Sequence, residues 1–128
     1  MSIEEEKSNS NERRKFSRIS IHKPAIIEAD GKTWHAELLD ISLKGVWLEK
    51  PADFPCEEGK SVNIEIELGE TEKIKMKAHT AHCEGNEAGF AWDEIDIDSL
   101  DHLRRMLELN AGDSSLIERE LSELFEKK

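Results

Sequence analysis

The sequence predicts an all-β core followed by α-helices, and three observations carry that expectation. Between His22 and Ile95, apolar and polar residues alternate at the period of strands. Turn signals break this alternation at short intervals. Beyond Ile95 the apolar spacing changes to that of a helix. About six short antiparallel strands result, a pattern that closes as a barrel or a sandwich.

The first two strands, around PAIIEA and KTWHAELLDI, flank Asp30-Gly31. That dipeptide suits a two-residue hairpin turn, whose central positions call for positive φ. Gly45 to Glu49 (GVWLE) is a short strand, and a loop with Pro51 and Pro55 follows. In SVNIEIELG, Val62, Ile64, Ile66 and Leu68 alternate with polar residues, the mark of a half-buried strand. Glu70 to Glu72 make the next turn. Ile74, Met76 and Ala78 then alternate against Lys73, Lys75, Lys77 and His79, and a turn near Gly85-Asn86 leads into AGFAWDEI. Leu100, Leu103 and Leu107 fall at helical spacing, with Asp96, Asp98 and Asp101 favouring the helix start electrostatically. Asn110 to Gly112 break this helix. Ser115 with Glu118 forms a capping box for a second one, whose apolar stripe is Ile117, Leu121, Leu124 and Phe125. Both helices are expected to pack on the β core.

The chain has 128 residues, the size of one ordinary domain, with 37% hydrophobic and 37% charged residues. Residues 1–12 lack apolar periodicity and are expected to be a disordered tail. No apolar run approaches the ~20 residues of a membrane helix, and the acidic start lacks the pattern of a signal peptide. A cytoplasmic protein that does not enter a membrane is expected. Cys56 and Cys83 lack CxxC spacing and read, in a reducing compartment, as free buried thiols.

The net charge of −11 argues against a nucleic-acid polymer as partner, because such affinity comes largely from neutralising phosphates. The charge is unevenly spread, however. No acidic residue occurs from Arg13 to Ile27, a stretch that holds Arg13, Arg14, Lys15, Arg18 and Lys23. A small basic island in an acidic body suits a compact anion.

Two segments carry recognition chemistry. ERRKFSR places Arg14 and Arg18 four residues apart, with Arg13 and Lys15 beside them. Guanidinium groups grip phosphate bidentately, pair with guanine O6 and N7, and stack on bases. The plain alternative is a solvated basic stretch. In DISLKG, Asp40 can accept hydrogen bonds from a guanine edge or hold an arginine in place. Ser42 adds a hydroxyl, and Gly45 permits positive φ or close backbone approach to a ligand. Its plain alternative is an inter-strand turn. Enzymatic chemistry finds no support: the carboxylates are scattered, and there is no nucleophile elbow, phosphate-binding loop or zinc spacing.

In this order the two segments resemble the signature of the PilZ domain family, RxxxR followed by (D/N)xSxxG. Here they read Arg14-Lys15-Phe16-Ser17-Arg18 and Asp40-Ile41-Ser42-Leu43-Lys44-Gly45. GFAWDEID resembles the family's final strand, and LRRMLELN the helix of its small stand-alone members. The resemblance implies a PilZ domain over residues 13–110, a six-stranded antiparallel β-barrel followed by helix, with the second helix within 111–128. It implies cyclic di-GMP as ligand, no cofactor and no catalysis. The expected site is Arg13, Arg14, Lys15, Arg18, Asp40, Ser42, Gly45 and His82. An arginine just before RxxxR, here Arg13, goes with two ligand molecules per chain. The expected working is a monomer whose N-terminal segment orders on binding and presents a new surface to a downstream protein. An adaptor of the same fold that binds protein and no nucleotide is the alternative.

His82 shares parity with Ile74, Met76 and Ala78 and stands where small stand-alone relatives place an aromatic residue. It either lies against a guanine or caps the core at the barrel's edge. His79 and His82, three apart, should point to opposite faces, which disfavours a metal site. Trp34, Trp47 and Trp92 are expected in the core or under the helices.

Overall fold

The computed structural model describes residues 18–111 and 114–126. Arg13, Arg14, Lys15 and the expected tail therefore lie outside the described residues, as do the side chains of Leu124 and Phe125. The described strands are β1 (Arg18–Ala29), β2 (Lys32–Ser42), β3 (Gly45–Glu49), β4 (Ser61–Glu67), β5 (Lys73–Glu84) and β6 (Glu87–Ile95). They close into an antiparallel barrel in the order β1-β2-β3-β6-β5-β4. Two helices follow, α1 (Ile97–Ala111) and α2 (Ser114–Glu126).

The alternating residues form the core. Ile27, Leu38, Ile41, Leu48, Ile64, Ile66 and Ile74 are fully buried inside the barrel. Asp30 and Gly31 turn β1 into β2 with φ of 55° and 80°, as the hairpin signal required. The proline-containing loop after β3 adds a core residue that periodicity did not show. Phe54 is buried, with its ring 5.1 Å from Trp34 and 6.4 Å from Phe90. Leu103, Leu107 and Ile117 are buried as α1 packs on β5 and β1 and α2 packs on α1, so the packing on the barrel expected of both helices is shown for the first. Asp96 caps α1: its carboxylate accepts from the Ser99 backbone N–H at 3.0 Å and from the Ser99 hydroxyl at 2.8 Å. The same hydroxyl accepts from the Lys75 backbone N–H at 2.9 Å and so ties the helix to β5.

Two expectations are corrected. β1 already includes Arg18, ahead of the expected His22, so Arg18 lies on a strand opposite Ser42. Cys56 and Cys83 are not free buried thiols; they form a disulfide with their Cα atoms 6.1 Å apart. The loop after β3 folds back along β5, where Gly59 N–H donates to the Thr80 carbonyl and Thr80 N–H to the Lys60 carbonyl. That pairing is made by topology, so sequence spacing could not show it.

Candidate functional site

Arg18, Asp40, Ser42, Gly45 and His82, drawn from four strands, line one groove of about 340 Å³ on the outside of the barrel. Arg18 donates through Nε and Nη2 to the two carboxylate oxygens of Asp40, each at 3.3 Å. Of the two roles open to Asp40, holding an arginine is the one this geometry shows. The Arg18 side chain keeps 57% of its surface exposed, so its remaining donors face water and any arriving anion. Ser42 is nearly buried, and its hydroxyl accepts from the Lys44 backbone N–H at 3.1 Å, which tightens the turn into β3.

Gly45 serves close approach rather than positive φ. A Cβ there would collide with the Phe90 carbonyl oxygen on β6, so glycine lets the two backbones meet at the groove floor. The approach shown is to a neighbouring strand, where the sequence suggests approach to a ligand.

His82 departs from the parity expected of it. The β5–β6 register shifts between Thr80 and His82, so Thr80 points inward and His82 is exposed on the outer face. His82 therefore does not cap the core. The same shift undoes the expectation that His79 and His82 face opposite ways: both are on the outer side, His79 2.9 Å from Asp93 and His82 3.3 Å from Glu84. Among the described residues, no three His, Cys, Asp or Glu side chains come together as metal ligands.

Two tryptophans meet expectation. Trp34 packs on the core, and so does Trp92, whose indole N–H donates to the Leu43 carbonyl at 2.6 Å. Trp47 does not. It is half-buried on the outer face, stacked on His82 with ring centroids 5.7 Å apart and planes 26° from parallel. Its indole N–H donates to Glu87 at 2.5 Å. The signal was present in GVWLE, where Val46 and Leu48 point inward and Trp47 shares the face of Gly45.

Comparisons with known proteins agree with this geometry. The family model described as the PilZ domain matches residues 12–109. Among solved structures, the PilZ domain of YcgR from Escherichia coli, determined with cyclic di-GMP, is similar at TM-score 0.62 and 21% identity, covering 91% of this chain and 99% of that one. The Bacillus subtilis inhibitor of motility (MotI/DgrA) has TM-score 0.63 and 16% identity over 84% of this chain; the chain spans about half (51%) of that protein's length. The PilZ domain of CeSA from a cellulose-synthesizing bacterium has TM-score 0.58 and 18% identity, covering 70% of this chain and 93% of that one. At these identities the likeness establishes the fold. The family match spans most of the sequence, and the closed six-stranded barrel carries DISLKG at the groove: the chain belongs to the PilZ domain family.

Proposed function

We propose that the protein is a cyclic di-GMP receptor. The observation that carries this reading is the convergence of Arg18, Asp40, Ser42, Gly45 and His82 on one groove. A guanidinium aimed by a carboxylate, an adjacent hydroxyl and an exposed ring provide phosphate, guanine-edge and base-face contacts together. YcgR, similar in fold, is solved with that ligand. The chain's own role is binding and positioning, with no reaction catalysed. Arg13, Arg14 and Lys15 complete the site on this reading, and Arg13 offsets the phosphate charge of a second stacked ligand, giving two molecules per monomer.

The signal is the ordering of the segment ahead of Arg18 over the barrel, which changes the surface offered to a downstream protein. Arg18 itself is already fixed on β1, so the ordering segment ends before it. A cytoplasmic location is part of the reading. It sets a condition on the Cys56–Cys83 bond, since protein disulfides in a reducing compartment are mostly transient or redox-sensing.

Calorimetric titration with cyclic di-GMP tests the reading. Saturable heat at two ligands per chain is expected. A one-to-one endpoint removes the paired ligand and leaves the receptor. No heat at high ligand concentration favours a protein-binding adaptor with the same fold.

A further inference from the structure

One cross-strand row on the outer face joins four strands. Asp40 on β2 lies opposite Trp47 on β3, Trp47 opposite Gly89 on β6, and Gly89 opposite His82 on β5. Directly opposed residues on neighbouring strands project on the same side of the sheet. The row therefore reads carboxylate, indole, empty position, imidazole. The empty position decides the arrangement. A Cβ at Gly89 would stand 2.5 Å from Cε3 and Cζ3 of Trp47. Because glycine supplies none, the indole lies across β6 and reaches His82 on the far strand. Glu87 fixes its other edge through the indole N–H.

A large aromatic ring kept half out of water on a sheet's outer face, and held in place from two sides, has the form of a recognition surface. We propose that Trp47 is a ligand-contacting residue, and that its indole and the His82 ring together form a preformed stacking platform for a guanine base. This deepens the receptor reading and rests on it. Asp40 and the Arg18 it holds stand at one end of the platform, so a base lying on the rings turns its hydrogen-bonding edge or its phosphate toward them. The competing account is that Trp47 only stabilises the sheet as a cross-strand aromatic pair.

Fluorine NMR of the full chain labelled with 5-fluorotryptophan separates the two. The three indoles give three resonances, and Trp47→Phe identifies that of Trp47. On titration with cyclic di-GMP, the Trp47 signal should move in step with the calorimetric isotherm, and the Trp34 signal should stay in place. Affinity should fall in the order wild type, Trp47→Phe, Trp47→Leu, with the leucine variant weaker by about tenfold or more. Gly89→Ala keeps the indole but displaces it, and should weaken binding in the same direction while the Arg18–Asp40 pair stays in place. An unmoved Trp47 resonance while calorimetry records binding overturns the platform and leaves the receptor. So does binding within twofold of wild type by a folded Trp47→Leu protein. Should the unmodified protein bind no cyclic di-GMP, both readings fall together.

Discussion

The β4–β5 hairpin and the wall formed by β2, β3, β6 and β5 belong to one barrel but follow different rules. In the hairpin, consecutive pairs run from Ser61 opposite His79 to Glu67 opposite Lys73 without a register shift. Val62, Ile64, Ile66, Ile74, Met76 and Ala78 all point inward, and charged residues cover the outside. Around the groove the ladder is broken. β1–β2 shifts between Ser20 and Lys23, β2–β3 between Leu38 and Asp40, and β5–β6 between Thr80 and His82. An irregularity of this kind gives up local pairing and re-aims a side chain. Here the re-aimed residues include Asp40 and His82. The regular wall supplies burial; the irregular wall supplies positioned polar and aromatic groups.

The largest expected effect tests that separation from the regular side. Ile64 is almost completely buried, so Ile64→Ala should cost about 2–5 kcal/mol through lost burial and a residual cavity. Urea unfolding measures the loss. Under conditions where the variant is folded, its affinity for cyclic di-GMP should stay within twofold of wild type. A matching loss of affinity would show that the two walls are mechanically coupled.

The disulfide comes next, because it pins the loop after β3 to the end of the irregular wall. Cys56 and Cys83 are 27 residues apart, and closing that loop constrains the unfolded chain by about 3–4 kcal/mol in the chain-entropy account. Reduction, or replacing both cysteines by serine, should lower the denaturation midpoint accordingly. Equal midpoints for oxidised and reduced protein would mean the bond contributes nothing to stability. Acid-quenched, non-reducing peptide mapping from intact cells reads its state in place.

From the irregular side, Arg18→Ala should act in the opposite sense to Ile64→Ala. The pair with Asp40 is exposed enough that its loss costs stability at most about 1 kcal/mol. Binding should weaken roughly tenfold to a hundredfold, since charge-assisted hydrogen bonds contribute about 1.5–3 kcal/mol each. A variant that binds normally but unfolds early reverses the assignment of this residue.

The same contrast explains what could be read in the sequence. In β4 and β5 the two-residue period maps directly onto inward and outward faces, so the barrel's core was legible residue by residue. DISLKG was legible as a motif, since residue types rather than periodicity carry its chemistry. His82 was placed on the wrong face by counting from Ala78, because a single extra residue at Ala81 inverts parity and no local composition marks it. Trp47, expected in the core or under the helices, lies on the outer face instead. Its outward direction follows from Val46 and Leu48, but its contact with His82 depends on Gly89, distant in sequence and brought alongside only by the β3–β6 pairing. Cys56 and Cys83 meet for a similar reason. What escaped the sequence reading is what long-range pairing creates.

The smallest effect concerns the cap that anchors α1 to the regular wall. Hydrogen bonds from the Ser99 hydroxyl and backbone N–H hold the Asp96 carboxyl below its ordinary pKa. A carboxyl depressed in the folded state binds its proton more readily when unfolded. Its stabilising contribution is therefore complete above the pKa of the unfolded chain and is lost as pH falls through the lower, folded value. Asp96→Ala should cost about 0.5–2 kcal/mol near neutrality, as loss of a helix cap does. Asp96→Asn keeps an acceptor without a titrating group, so it should lose less at neutral pH and show a shallower decline in acid. Asp30 and Asp101 are also depressed, by Lys60 and Arg104 respectively, and contribute acid sensitivity of their own. Only the difference between wild type and the asparagine variant isolates Asp96. Urea unfolding of both proteins across the acid range measures that difference. Parallel stability curves would place the acid sensitivity elsewhere. A gap that closes as pH falls would assign it to the carboxylate that Ser99 holds against β5.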